Sequence, residues 1–303
     1  MGREMSSAKV VVIKSKIVPT STRELDELRL ASMIERGFNL LCGTQDIKEA
    51  ISQIFSPTDR VGIKINTIGG RNISTRPELS LSLANLLVRS GLQEKNIIIW
   101  DRTNRELREA GYRLATDKAG LKVFATDTEG VGYETELVSH LNIGSLFSTI
   151  LSNFITASIS LAILKDHGLA GVTAGMKNYF GAIHNPNKYH DDRCDPFVAQ
   201  VFDAPPVKSR HRLTVIDALA VQFHRGPSYH ARWSAKFGGL VFSLDPVAAD
   251  AAGWRIIDRL RQEAGLPTLE AEGRPPGYLA TAEKMGLGRS AAEVVEKTVE
   301  AGP

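Results

Sequence analysis

The densest group of residues able to do chemistry lies between positions 165 and 190. Three histidines and three lysines fall within this stretch: His167, His184, His190, Lys165, Lys177 and Lys188. Imidazole is both a metal ligand and a base near neutral pH, and a lysine beside apolar residues can serve as a base when its pKa is lowered. The stretch therefore predicts acid–base chemistry by His167, Lys177, His184 and His190, or a divalent metal held by the three histidines.

A second pattern is that polar residues follow the apolar runs expected to be strands. Five of the runs show this pattern. The polar residues, grouped by run, are Lys64 and Asn66, Asp101 and Arg102, Lys165 and His167, Asp217, and Asp245. In open α/β sheets the ligand lies beyond the carboxyl ends of the strands. We therefore expect Lys64, Asn66, Asp101, His167, Lys177 and Asp217 to line one pocket. There Asp101 or Asp217 would orient an imidazole or complete a metal shell. The alternative is that such residues cap helices and turns, as Asp245 does next to Pro246.

The cations and amides in these positions point to an anion. The residues expected to hold a carboxylate or a phosphate are Lys64, Asn66, Arg76, Arg102, Lys165 and Asn178. Arg76 precedes a helix predicted to begin at Pro77, and the positive end of a helix dipole favours negative charge. The chain contains no P-loop and no G-x-S-x-G elbow, and the absence of a G-x-G-x-x-G fingerprint disfavours a Rossmann dinucleotide site.

The elements that must position these residues alternate between strand and helix. Seven apolar runs predict strands: 10–17, 61–65, 97–100, 121–125, 159–164, 213–216 and 240–243. Several runs are apolar throughout, which is typical of strands covered on both faces. The sequence thus predicts a three-layer α/β fold, with a mostly parallel sheet, helices on both faces and a long polar loop at the site over 168–209. A capping box at Ser290–Glu293 predicts a last helix. We expect residues 1–303 to form one intertwined unit, with a possible sub-domain boundary near residue 150.

Composition narrows the function classes. The chain has 303 residues, and its 37 basic and 34 acidic residues give a net charge of +3, too balanced to predict a nucleic-acid partner. Its two cysteines lie far apart, at Cys42 and Cys194, so the chain by itself predicts no iron–sulfur cluster. The uncharged stretch 141–164 is rich in serine, and we expect no membrane span. The sequence predicts a soluble protein, either cytoplasmic or exported after loss of a leader.

Taken together, six motifs resemble domain-of-unknown-function family 362. They are Val61–Asn66, Ile99–Arg102, Leu164–Gly168, Gly171–Asn178, Gly181–Pro186 and Asp245–Asp250. The resemblance runs from about Val10 to Ile257. Some members of that family are fused to ferredoxins or carry twin-arginine leaders, and the family name implies no reaction. What the resemblance implies is the position of the site.

Two functions remain open from the residues. The first is an enzyme acting on a small carboxylate or phosphate by acid–base or metal-assisted chemistry, such as isomerisation or elimination. The second is a non-catalytic binding protein for a metal chelate or an organic anion. They differ in geometry, because an enzyme needs an acid or a base within about 3 Å of the reacting atom.

Overall fold

The structure is a computed structural model, and it describes residues 8–15 and 27–299. Its strands are β1 (Lys9–Ser15), β2 (Val61–Lys64), β3 (Ile97–Trp100), β4 (Lys122–Val123), β5 (Val138–His140), β6 (Ile143–Ser145), β7 (Ala157–His167), β8 (Gly171–Thr173), β9 (His211–Gln222), β10 (Ser234–Ser243) and β11 (Glu293–Val299). Its α-helices are α1 (Glu27–Cys42), α2 (Ile47–Ile54), α3 (Pro77–Arg89), α4 (Asn104–Ala110), α5 (Phe197–Asp203), α6 (Pro205–Lys208), α7 (Pro246–Glu263) and α8 (Tyr278–Lys284).

In the described part of the chain, one nine-stranded sheet forms the middle layer. Its order is β11-β1-β10-β9-β7-β2-β3-β4, with β8 added beside the end of β7. Neighbouring strands are parallel, except that β10 is antiparallel to β1 and β9, and β8 is antiparallel to β7. The N-terminal strand β1 lies between the C-terminal strands β10 and β11. The carboxyl ends of β2, β3 and β7 therefore meet at one edge.

Helices cover both faces of the sheet, because the side chains of a strand point alternately to its two sides. In β1, Val10 and Val12 belong to the apolar core that α7 completes, whereas Val11 and Ile13 belong to the core beneath α1 and α3. Strands buried on both faces read as continuous apolar runs, and this is why the sequence reveals them. The predicted α/β fold with a mostly parallel sheet and helices on both faces is confirmed.

Each predicted strand overlaps an observed one, although residues 16–17 of the first lie outside the described residues. The helix predicted to begin at Pro77 is also observed, and Asp245 caps the start of α7 as expected. The helix predicted after Ser290 is wrong, because residues 293–299 form β11. There Val294, Val295 and Val299 favour an extended chain, and the backbone pairs in parallel with β1.

The region predicted as a long polar loop is largely built of short elements. It holds β8, α5, α6 and 3₁₀ segments over Lys177–Ala182, Pro186–Tyr189 and Asp191–Cys194. Four of its aromatic residues are buried, and Tyr179 and Tyr189 are among the largest inaccessible side chains, whereas Phe197 is partly buried. Within the described residues, no helix is both long and apolar enough to cross a membrane.

Candidate functional site

A cavity of about 160 Å³ opens where β2, β3 and β7 end. Its lining residues are Lys64, Asn66, Ile68, Asp101, Arg102, Glu106, Lys165, His167, Thr173, Lys177, Asn178, Phe180, Gly181, Pro186, Asn187, His190 and Pro227. An engineered cavity of about 150 Å³ in another protein holds a benzene-sized molecule, so this one has room for a small organic acid or a phosphate. Nine residues that the sequence marks as candidates lie in this lining: Lys64, Asn66, Asp101, Arg102, Lys165, His167, Lys177, Asn178 and His190.

Lys64 and Asp101 form a buried ion pair between the ends of β2 and β3. Lys64 Nζ lies 2.6 Å from Asp101 Oδ1 and also donates to the Ile65 carbonyl at 2.7 Å and to Asn178 Oδ1 at 3.3 Å. Asp101 Oδ2 in turn accepts from the backbone N–H and the hydroxyl of Thr67, both at 2.7 Å. All three N–H bonds of the ammonium are used, and so is the carboxylate. The pair therefore fixes the wall of the cavity and leaves neither group free as a base.

Lys165 is also committed to protein oxygens. Its ammonium donates to the Ile68 carbonyl at 2.9 Å, to Asn66 Oδ1 at 3.3 Å and to the Ile73 carbonyl at 3.4 Å. These contacts hold the loop after β2 against the end of β7. Burial lowers the pKa of Lys165 to about 8, with Asp101 raising it and Lys177 lowering it further. Lys165 thus brings a positive charge to the cavity while its three N–H bonds stay occupied.

The last three residues of β7 alternate between two environments. Lys165 and His167 line the cavity, whereas Asp166 points away from it. Asp166 accepts from the Gly226 backbone N–H at 2.8 Å and pairs with Arg274 at 3.1 Å. Because side chains alternate along a strand, this split follows from β7 reaching His167 rather than ending at Leu164. Asp166 therefore holds the neighbouring loops in place instead of lining the cavity.

His167 is held as a neutral ring with one defined tautomer. Its Nδ1 accepts from the backbone N–H groups of Leu169 at 3.2 Å and Ala170 at 3.1 Å, so the proton of the neutral ring is on Nε2. Burial lowers the pKa of His167 to about 2, helped by the nearby Lys177 and His190. The ring is thus a permanent hydrogen-bond donor through Nε2. A metal at Nε2 would require a proton on Nδ1, which the two backbone donors disfavour.

Lys177 reaches the cavity from the first turn of a 3₁₀ segment. The turn before it is fixed by Asp250, which accepts from the backbone N–H groups of Gly175 at 2.7 Å and Met176 at 3.1 Å and from the Tyr278 hydroxyl at 2.9 Å. Asp250 lies in the fully buried part of α7, and burial raises its pKa to about 7. The position of Lys177 is therefore set by a buried carboxyl group on the far side of the turn.

The surroundings of the Lys177 amine differ from those of the other two lysines. Lys177 Nζ lies 3.2 Å from His190 Nε2, contacts the thiol of Cys194 and sits 4.0 Å from the centre of the Phe180 ring. Within the described residues it makes no hydrogen bond to an oxygen. Burial lowers its pKa to about 8, and Cys194 opposes that shift. Lys177 is thus the lysine of this cavity whose amine can still bind or deprotonate a ligand.

His190 completes the pair with Lys177. Its Nδ1 lies 2.9 Å from the Pro186 carbonyl, which can only accept, so Nδ1 carries the proton and Nε2 presents its lone pair to Lys177. Burial, followed by the charge of Lys177, lowers the pKa of His190. The ring stacks on His167 with 5.7 Å between ring centres. Two neutral imidazoles of opposite tautomer therefore flank one amine.

The net charge of the cavity is positive. Its lining includes Lys64, Arg102, Lys165 and Lys177 as cations and Asp101 and Glu106 as acids. Since Asp101 neutralises Lys64, three cations face one remaining carboxylate. Cations crowded in a partly desolvated cleft attract anions strongly. The arrangement thus suits a ligand that carries a carboxylate or a phosphate.

The structure does not bring His184, Asp217 or Arg76 to the cavity. His184 follows the buried Ile183 in extended chain, and its ring is therefore exposed. The ring packs edge-on against Tyr133, with 5.1 Å between ring centres. The predicted grouping of three histidines is therefore not formed. In the described part of the chain, no group of three or more His, Cys, Asp or Glu side chains has the geometry of a metal site.

Asp217 misses the cavity because β9 continues to Gln222, so this residue lies within the strand and not at its end. Its neighbours of the same parity, Val215 and Leu219, pack under α1 and α3, and Asp217 faces that layer. Burial raises its pKa, and Arg76, which precedes α3, opposes that shift. Asp217 and Arg76 thus lie near each other on the face of the sheet that α1 and α3 cover.

Sequence reasoning missed several lining residues. Phe180 and Gly181 follow Lys177 in the same 3₁₀ segment, and Pro227 comes from the loop after β9. The contact of Cys194 with Lys177 was also missed, and it depends on three consecutive residues, Asp192 to Cys194, with φ between 47° and 63°. Left-handed backbone at three residues other than glycine leaves no clear mark in a sequence. Both cysteines are free.

The fold and the cavity define an α/β protein with a cationic pocket at the carboxyl edge of its sheet. A family model described as a domain of unknown function, DUF362, matches residues 61–255, and the chain belongs to this family. The matched range contains every charged residue of the cavity.

Among solved structures, the chain is similar to the crystal structure of a protein from Thermotoga maritima, Northeast Structural Genomics Consortium target VR152. The identity is 9% and the TM-score 0.41, over 82% of this chain and 61% of that one. The chain thus spans less than two thirds of the length of that protein. No curated protein matches the chain.

Proposed function

We propose that the protein is an enzyme that moves a proton on a small carboxylate or phosphate substrate, with Lys177 as the base. The observation that carries this proposal is the difference between the three lysines of the cavity. All N–H groups of the Lys64 and Lys165 ammoniums donate to protein oxygens, whereas Lys177 contacts an imidazole and a thiol. A general base needs a lone pair, and an amine that is not pinned as a triple donor can supply one.

The other groups of the cavity would bind the substrate, stabilise developing charge and orient the base. Arg102 and Lys165 supply positive charge for the anionic group, and His167 donates from Nε2 to an oxygen in which negative charge develops. His190 Nε2 accepts from Lys177 and orients the amine. With a pKa of about 8, roughly one Lys177 amine in ten is neutral at pH 7, so the residue can both take up and return a proton. This favours isomerisation or elimination next to a carboxylate or carbonyl group.

The proposal favours acid–base over metal-assisted chemistry. The tautomer of His167 leaves a proton on Nε2, and the lone pair of His190 Nε2 is directed at the amine of Lys177. Both features suit proton transfer and disfavour a metal on these rings.

The second candidate is a non-catalytic binding protein for an organic anion. It is supported by Lys165, because an ammonium already fixed by three protein oxygens supplies positive charge to the cavity without taking part in a reaction. In that case Lys177 would only add a positive charge.

Solvent hydrogen exchange separates the two functions. The protein is incubated in D₂O with a panel of small carboxylic acids and phosphate monoesters, and loss of carbon-bound hydrogen is followed by proton NMR. An enzyme exchanges a C–H of at least one compound, and Lys177→Met abolishes that exchange. His184→Ala is the matched control, since this exposed ring lies outside the cavity. Binding of several acids without any exchange would support the binding protein instead.

A further inference from the structure

Three exposed apolar side chains belong to loops that adjoin lining residues of the cavity. Ile68 lines the cavity and yet has 52% of its surface exposed. Leu169 is 47% exposed and Tyr229 is 41% exposed, and each follows a lining residue, His167 or Pro227, by two positions. Large apolar side chains left in water next to a cleft often mark a surface that a ligand covers.

The three loops that carry these side chains touch one another. The Gly168 backbone N–H donates to the Gly226 carbonyl at 3.3 Å, which joins the loop of Leu169 to that of Tyr229. A Cβ placed on Gly69 would lie 3.8 Å from the Pro227 carbonyl, so the loop of Ile68 reaches the same point. Gly69 and Gly70 have φ values of 111° and 76°, where glycine is favoured, and this conformation turns the chain just after Ile68. The three apolar residues thus lie on contacting loops that adjoin the charged cavity.

We propose that the ligand of this cavity is an amphiphilic acid, whose anionic group enters the cavity and whose apolar chain lies on Ile68, Leu169 and Tyr229. This inference rests on the proposed function, because it assumes that the cationic interior binds an anion. The cavity of about 160 Å³ accommodates the head group and a few carbons. A longer chain must leave through the mouth, where these side chains would shield it from water. Inorganic phosphate and very short acids would leave these side chains uncovered.

The test is isothermal titration of the purified protein with straight-chain monocarboxylates from acetate to octanoate at pH 7. Each added methylene that contacts Ile68, Leu169 or Tyr229 should raise the affinity by about two- to fourfold. Ile68→Ser should lower the ratio of octanoate to acetate affinity several-fold. Leu244→Ser is the matched control, because Leu244 is 49% exposed but follows β10, whose carboxyl end lies at the opposite edge of the sheet. That variant should leave the ratio unchanged.

The outcomes separate this inference from the function on which it rests. Equal affinity for acetate and octanoate, or an unchanged ratio in Ile68→Ser, would overturn the amphiphilic ligand and leave the cationic site standing. If no acid of the series binds, both the inference and the anion site fail. If affinity rises with chain length while no acid of the panel exchanges hydrogen in D₂O, the ligand class stands and the enzyme does not.

Discussion

Replacing Lys177 by methionine should stabilise the protein, and the gain should depend on pH. Methionine keeps most of the volume of the side chain and removes the buried charge. In the folded protein the pKa of Lys177 is about 8, against 10.5 for an ordinary lysine. Because the proton is bound more weakly in the folded state, keeping it there costs about 3 kcal/mol at pH 7. Loss of the contact with His190 destabilises the variant by about 1 kcal/mol, so its net gain in the free energy of unfolding is about 2 kcal/mol.

The pH dependence follows from the same two pKa values. Below about pH 8 the folded and unfolded chains both hold the proton, and the destabilisation by Lys177 is complete. As the pH rises from 8 to 10.5, the folded protein releases the proton while the unfolded chain keeps it, so wild-type stability increases. By pH 10 the cost has fallen to about 1 kcal/mol, which the lost contact with His190 offsets.

The assay is urea denaturation of the wild type and Lys177→Met between pH 7 and 10, with thermal melts in parallel. For 303 residues the entropy of unfolding is about 0.6 kcal/mol/K, so 2 kcal/mol corresponds to a rise in Tm of about 3 °C at pH 7. Lys118→Met, at an exposed position, should show no such pH-dependent gain. A variant less stable than wild type at pH 7, or a gain that does not change with pH, would refute the assignment of a buried, weakly basic amine.

Three further predictions concern the frame of the cavity. Gly181→Ala would place a Cβ 2.8 Å from Lys64 Nζ and 3.0 Å from Asp101 Oδ1, and it should weaken the binding of any anion by about tenfold or more in calorimetric titration. Asp101→Asn leaves the Lys64 ammonium buried without its countercharge and should cost about 3–5 kcal/mol in urea denaturation; a loss below about 1 kcal/mol would contradict the role of the pair. Asp250→Ala removes the acceptor of two backbone N–H groups and should cost about 3 kcal/mol, whereas Asp250→Asn, which keeps an acceptor oxygen, should cost less than half as much.

The sequence predicts the fold well, because strands that are buried on both faces consist of continuous apolar runs. The sheet edge that holds the cavity is also predictable, because Lys64, Asp101 and Lys165 each follow or end such a run. The limit is the exact end of a strand. Because β9 continues pairing as far as Gln222, Asp217 lies inside the strand and not at its end. His184 is exposed because it follows the buried Ile183 in extended chain.

The different roles of the three lysines could not be predicted. Lys64 and Lys165 are pinned by carbonyl and amide oxygens that come from Ile65, Asn178, Ile68 and other residues of separate loops. Only the assembled structure shows which amine those oxygens leave free. The helix predicted after Ser290 fails for a related reason, because pairing with β1 outweighs a local capping pattern.

The central claim is that Lys177 is the amine of this cavity that is free to take up a proton. Competitive labelling of lysines with a small amine-reactive reagent from pH 6 to 11, read by peptide mass spectrometry, tests it directly. The labelling of Lys177 should rise with a midpoint near pH 8 and fall when a bound acid fills the cavity, while Lys64 and Lys165 stay unlabelled in the folded protein. A midpoint for Lys177 near the ordinary value of 10.5, or faster labelling of Lys165 than of Lys177, would contradict the account.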